Sequence, residues 1–169
     1  MSELLWTLPQ ELLRVSIEVM RPRGARGNEG LALWFGHGDE RHVRFTHVVE
    51  VFGRGFTTTP LYMSLSLRAM ATLTEFAAQH DVFLAGQIHS HPGRFVDLSD
   101  LDQVHGIRVP DYLSIVCPFY AQRALESLDC CGVHLFESQR YRRLGADEVS
   151  RRIAVREAPL QKFRLEVDP

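Results

Sequence analysis

Residues 82–91, VFLAGQIHSH, run as a mostly apolar strand straight into two histidines, and Pro92 and Gly93 follow at once. A run of this kind reads as a strand buried in a sheet and stopped by its own turn residues. Residues two apart on a strand point to the same face, so His89 and His91 project side by side from its end. A few positions on, LSDLDQVHG reads as a short helix ended by Gly106. Residues three apart on a helix share a face, which pairs Ser99 with Asp102. A strand running into a helix start can therefore bring two imidazoles, one carboxylate and one hydroxyl to one point. Two histidines and a carboxylate supply three ligands, and a catalytic zinc keeps its fourth position for water.

A plainer account uses the same residues. Ser99-x-x-Asp102 is also a capping-box-like pattern, and Asp97 or Ser99 can simply cap the short helix. His-x-His alone occurs often by chance. The combination at this spacing, with a proline directly after His91, favours the metal.

The rest of the chain supplies elements around this point. TLPQELLRVSIEVM (7–20) predicts a helix capped by Thr7, with Leu12, Leu13, Ile17 and Met20 at helical spacing; RPRGARGNEG breaks it. LALWFG (31–36) and HVRFTHVVEVF (42–52) predict strands. GRGFTTTPLYM (53–63) reads as a loop, and SLSLRAMATLTEFAAQH (64–80) as a helix with Leu67, Met70, Leu73, Phe76 and Ala77 along one stripe. DYLSIVCPF (111–119) predicts a buried strand, and CCGVHLFESQRYRRL (130–144) a hairpin turning at ESQR. The tail from Gly145 is charged and weakly periodic, part helix and part strand. Strands bracketed by helices predict an α/β (α+β) sheet flanked by helices.

Length and charge narrow the function. A chain of 169 residues that is 45% hydrophobic makes one domain with one sizeable core. The net charge of -2 gives no pull toward nucleic acid or a membrane surface. No apolar run is long enough to span a bilayer, and the start lacks the features of a signal peptide, so a cytoplasmic protein is expected. Cys117, Cys130 and Cys131 fit small core residues in a reducing compartment, because two adjacent cysteines are badly placed to bridge or to clip a metal.

His89-Ser90-His91-Pro92, six further residues, then Ser99-x-x-Asp102 resembles the His-x-His-x7-Ser-x-x-Asp signature of the JAMM metalloproteases, the JAB1/MPN/Mov34 family. NEGLALWFG (28–36) is similar to the family's upstream glutamate segment, with Glu29 as the glutamate, and PDYLSIVCPF (110–119) looks like its strand after the metal helix. The resemblance covers roughly residues 8–145. It implies a mixed β-sheet flanked by helices with a cytidine-deaminase-like architecture. It divides the chain into a JAMM/MPN domain over 1–145 and a C-terminal extension of uncertain structure over 146–169. It makes His89, His91 and Asp102 the Zn2+ ligands, Glu29 the general acid/base and Ser99 a hydrogen-bond donor to the reacting oxygen. Physical chemistry suits these roles. Zinc lowers the pKa of bound water to about 7. A neighbouring carboxylate can carry its proton to the leaving amine. A hydroxyl can stabilise the developing oxyanion. Asp97 and Asp100 break the spacing, and Asp97 is expected to cap the turn. His37, His42, His47, His80, His105 and His134 have no partner at ligand spacing; His105, one turn past Asp102, is the nearest to an outer position.

The family's commonest reaction cuts after the C-terminal tail of a ubiquitin-like protein. The resemblance therefore implies a ubiquitin-like protein or its conjugates as partner, together with ubiquitin-like conjugation enzymes, with no nucleic acid and no membrane. Residues 52–60 and 91–98 are candidates for lining the tail's channel. Only residues 103–111 separate Asp102 from the next strand, which looks like the compact bacterial form that accompanies conjugation enzymes in antiphage defence operons. Two other readings stay open: a peptidase trimming a sulfur-carrier protein or small peptide, and a non-catalytic MPN-type interaction module. Intact Glu29 and Ser99 speak against the second.

Overall fold

The computed structural model describes residues 3–169. Met1 and Ser2, the start of the expected 1–145 domain, lie outside the described residues. The chain opens on a strand, β1 (Leu5–Pro9), where a Thr7-capped helix was expected. Trp6 and Leu8 are wholly buried and two apart, a period-two signal confined to five residues. Helix α1 (Glu11–Gly24) follows without a side-chain cap. It runs through Pro22, so the stretch expected to break it is its last turn. There Pro22 forfeits only the bond to the Glu18 carbonyl. Ala25 N–H to Arg21 O (2.9 Å) and Asn28 N–H to Arg23 O (3.1 Å) close the end.

Strands β2 (Leu31–Gly38) and β3 (His42–Phe52) match their expected segments. The expected loop after them contains a small hairpin, β4 (Phe56–Thr58) with β5 (Met63–Leu65). Ser66 caps α2 (Leu67–His80), accepting from Ala69 N–H. Then come β6 (Phe83–Ser90), α3 (Asp100–His105), β7 (Leu113–Cys117), β8 (Gly132–Glu137) and β9 (Arg140–Arg143). The β8–β9 turn is ESQR as read from sequence, with Ser138 and Gln139 both left-handed (φ 49° and 64°), the backbone that a tight hairpin requires.

With β10 (Ile153–Arg156) and β11 (Gln161–Glu166), nine strands form one mixed sheet in the order β10-β1-β3-β2-β6-β7-β8-β9, with β11 added to β3. The strands that complete it belong to the tail. Residues 146–169 hold α4 (Ala146–Arg152), β10 (Ile153–Arg156) and β11 (Gln161–Glu166). β10 lies parallel to β1, and β11 lies parallel to β3 from Gln161 to Glu166. The Arg152 guanidinium, buried, donates to Leu4 O at 3.0 Å and lies 4.7 Å over the Trp6 ring. The segment set apart on sequence as an extension is thus part of the same sheet.

Helices cover both faces, and β2 shows why. Ala32 and Trp34 pack with the α1 side chains Leu12, Leu13 and Met20; Leu31, Leu33 and Phe35 pack with Leu73 and Phe76 of α2. A central strand buried on both sides reads as a continuous apolar run, as LALWF does. Ser16 is the polar exception on α1, and it accepts from the Trp34 indole N–H at 2.9 Å. Among the described residues no helix is long and apolar enough to cross a membrane.

Candidate metal centre

β6 is paired on both sides, with Leu31 of β2 opposite His89 and Val116 of β7 on the other flank. Its end is therefore rigid. His91 stands one residue beyond it, held by its N–H to Cys117 O at 2.9 Å. The alternation works as read from sequence: His89 and His91 share a face, and their Nε2 atoms lie 3.2 Å apart.

Asp102 reaches the same point from α3. Ser99 is the N-cap of that helix, and the capping box is complete. Asp102 N–H donates to Ser99 Oγ at 3.1 Å, and Ser99 N–H and Oγ–H donate to Asp102 Oδ2 at 2.7 and 2.8 Å. Both accounts of Ser-x-x-Asp thus hold together: the cap fixes the carboxylate, and the fixed carboxylate faces the histidines. Oδ2 lies 3.1 Å from His91 Nε2 and Oδ1 lies 3.5 Å from His89 Nε2.

Glu29 arrives from the turn between α1 and β2. Its N–H donates to Thr59 O at 2.9 Å and its carbonyl accepts from the Thr58 hydroxyl, so the β4–β5 hairpin holds its backbone. Next to it, Gly30 N–H donates to Ser90 Oγ (2.9 Å) and Ser90 N–H donates to Gly30 O (3.1 Å). The glutamate's Oε1 comes to 3.9 Å from His91 Nε2. Glu29, His89, His91 and Asp102 are all buried and offer ligand atoms within 4.8 Å of one another.

The electrostatics separate the two carboxyls. Burial pushes Glu29 up to about 8, against the pull of His91 and with a further push from Asp102. Burial also acts to raise Asp102, but hydrogen bonds from His89 and His91 outweigh it and hold that group far below the usual carboxylate range. Burial lowers the His89 pKa, against the pull of Asp102. For His91 burial acts to lower the pKa, but the hydrogen bond and charge of Asp102, the charge of Glu29 and the Phe95 carbonyl together outweigh it, and the pKa rises.

These donors fit a metal ion. His91 Nδ1 bonds Phe95 O at 3.0 Å, which keeps a proton on Nδ1 and leaves Nε2 as the nitrogen that can exchange its own proton for a cation. Nε2 faces His89 Nε2 and the Asp102 carboxylate. Glu29 Oε2 and His89 Nδ1 are buried without a hydrogen-bond partner. Converging lone pairs in a buried site call for a shared cation. The contacts of 3.1 to 3.5 Å match the ~3.3 Å edge of a tetrahedron built with zinc–ligand bonds near 2.0 Å.

Other sequence expectations fall differently. Asp97 does not cap the turn: it accepts from Arg143 of β9 at 2.6 Å and lies 3.6 Å from the buried His134. Asp100 lies in the first turn of α3, outside the cluster. His105 is no outer group of the site; it stacks on Tyr62 with centroids 5.2 Å apart. His37 and His80 flank the buried His47, which stacks on Phe163 of β11. Cys117 and Cys131 are buried and Cys130 is exposed, all three free. Residues that sequence reading missed at the site are Ser90, Thr58 and Tyr120. Ser90 sits between the two histidines, on the opposite face of the strand, where only pairing with Gly30 reveals its use.

Fold and site define an α+β domain with a buried His–His–Asp–Glu cluster at the end of a central strand. No protein-family model matches the chain. It is 26% identical over 120 residues to a probable metalloprotease, y4jG, from Sinorhizobium fredii, a match covering 70% of this chain and 74% of that protein. Its fold is shared with the solution structure of DSY2949 from Desulfitobacterium hafniense: TM-score 0.67, 17% identity, 92% of this chain and 95% of that one. AF2198, a JAB1/MPN domain protein from Archaeoglobus fulgidus, overlaps more loosely, with TM-score 0.45 and 14% identity over 92% of this chain and 100% of that one. The buried cluster joins the His-x-His and Ser-x-x-Asp residues to Glu29, and the chain is similar to a probable metalloprotease.

Proposed function

We propose that the chain is a zinc metallopeptidase, an isopeptidase that cuts after the C-terminal tail of a ubiquitin-like protein in a conjugate or precursor. The observation that carries this is the convergence of Glu29, His89, His91 and Asp102 within 4.8 Å. Two imidazoles and one carboxylate are a donor set that suits zinc. Zinc held by His89, His91 and Asp102 supplies Lewis acidity and lowers the pKa of water to about 7.

The chain's own residues supply the rest. Glu29, a buried carboxylate with its Oε2 unpartnered beside the cluster, can take a proton from water and deliver it to a leaving amine. Ser99 Oγ–H now donates to Asp102 Oδ2. Rotation about χ1 aims that hydroxyl at a substrate oxyanion, while Ser99 N–H keeps its own bond to Oδ2. No thiol nucleophile is needed, and burial of Cys117, which pushes its thiol up to about 12, agrees with that.

The surroundings support an extended substrate. The β4–β5 hairpin borders the Glu29 side and the 91–98 loop borders the His91 side, with Leu61 67% and Phe95 59% exposed. β5 pairs with β4 alone, so its other edge can add a strand from an extended tail. Three free cysteines agree with a reducing, cytoplasmic setting.

The test is to incubate the protein with a ubiquitin-like protein fused through its tail to a reporter. Cleavage after the tail, abolished by chelator and restored by zinc, is expected. Cleavage that survives chelation of a metal-free preparation sinks the reading.

A further inference from the structure

The site is built from two halves that face each other across the cluster. His89, His91 and Asp102 belong to β6 and α3. Glu29 belongs to the α1–β2 turn and is held by the β4–β5 hairpin. Ser90 and Gly30 join the halves on the interior side. A second join lies toward solvent, in the turn after β7.

Phe119, Tyr120 and Ala121 are three consecutive non-glycine residues in left-handed backbone, with φ of 57°, 52° and 56°. L-residues adopt this region singly and at a cost, so a run of three persists only where its surroundings impose it. Those surroundings are the metal strand and the end of α1. Phe119 N–H donates to Gly93 O at 3.1 Å, and Tyr120 N–H donates to His91 O at 2.7 Å. Gln122 Nε2 donates to both Tyr120 O and Arg21 O, at 2.9 and 3.0 Å. Gly24 closes the contact: a Cβ there would stand 1.9 Å from Tyr120 O. The imposed turn aims the Tyr120 side chain across the site mouth, where its hydroxyl donates to Pro60 O at 3.0 Å. Pro60 is next to Thr59, which holds the Glu29 N–H. The phenol is also close enough to Glu29 for that carboxylate, after burial, to raise its pKa.

We infer that Tyr120 is a positioning residue. Its backbone grips His91 and its hydroxyl grips the Pro60 carbonyl, so it ties the Glu29 hairpin to the histidine strand on the solvent side, in addition to the Gly30–Ser90 bonds and the Tyr62–His105 stack. The inference rests on the peptidase reading for its kinetic part and is independent of it for its structural part. The Tyr120–Pro60 bond is solvent-accessible, so it adds little to global stability. Its use is in geometry, where a displacement of about 1 Å can lower turnover up to about a hundredfold.

The test is Tyr120→Phe, which removes only the hydroxyl, in the full chain loaded with zinc. Zinc content and melting temperature are expected to stay at wild-type values. Cleavage of the ubiquitin-like fusion should show KM within about twofold and kcat lowered about tenfold, the split expected when transition-state geometry alone is lost. Amide exchange at Glu29, whose N–H bonds Thr59 O, should rise several-fold, as should exchange at Tyr62 in the same hairpin loop. Tyr120→Ala, which also removes the ring, should exceed Tyr120→Phe in both effects. Unchanged exchange at Glu29 overturns the positioning role whether or not kcat falls; a fall in kcat alone would mean that the phenol touches substrate. Wild-type kcat with faster exchange overturns it as well. Should the wild type cleave no ubiquitin-like fusion, the peptidase reading fails, and exchange at Glu29 in the two variants still decides the structural claim.

Discussion

Asp102 Oδ2 accepts two hydrogen bonds from Ser99, from its N–H at 2.7 Å and from its hydroxyl at 2.8 Å. One pair of residues both caps the helix and fixes a carboxylate of the candidate metal cluster. Local helix-capping energy therefore orients that carboxylate with no metal present, and the six-residue α3 presents it.

Ser99→Ala separates these contributions. It removes the cap, which costs about 1 kcal/mol of stability at a typical helix N-terminus. It also frees the Asp102 carboxylate to rotate, so zinc affinity should fall about tenfold, in the range expected for loss of an orienting group. Chemical denaturation and competitive zinc titration measure the two effects. Loss of stability with wild-type affinity would show that Asp102 needs no help from Ser99.

The metal-free protein should respond to pH through Glu29. Its folded-state pKa of about 8 lies above the ordinary 4.5. A raised pKa means that the folded state holds the proton more tightly, so this contribution is full below about 4.5 and is lost as pH rises through about 8. Melting of metal-free protein should therefore weaken across that window, and Glu29→Gln should flatten the dependence. The same proton must compete with a cation placed beside it, so apparent zinc affinity should climb with pH up to about 8 and then level. Asp102 is ionised throughout and adds no slope. Affinity that is flat from pH 6 to 8 contradicts this.

Truncation after Gly145 should not leave a folded core. It removes β10 from β1 and β11 from the length of β3. It strips Phe163, Leu165 and Val167 from the second core, and Arg152 from Leu4 and Trp6. The expected outcome is insoluble or unfolded protein by circular dichroism. A soluble, cooperatively melting truncation would make the tail dispensable.

The site was more legible in the sequence than the frame around it. His89, His91, Ser99 and Asp102 lie within one strand–turn–helix, where spacing alone fixes direction. Glu29 lies sixty residues earlier, and only the resemblance, not periodicity, singled it out. β1 was hidden because Trp6 and Leu8 are followed at once by helix-forming residues. A strand in the tail was expected but its place in the sheet was not, because β11 is largely exposed and charged, an edge that only pairing with β3 explains. Tyr120 carries no signal in sequence at all: nothing in PFYAQ announces three left-handed residues.

The central claim is that the cluster binds zinc for a reaction in which Glu29 moves the proton. Its most direct test is the cleavage rate of zinc-loaded Glu29→Gln on the ubiquitin-like fusion. General acid–base catalysis is typically worth 10²–10⁴-fold, so the variant should keep its zinc and its fold and cleave at least about a hundredfold more slowly. Cleavage at the wild-type rate by a zinc-loaded Glu29→Gln would contradict the account.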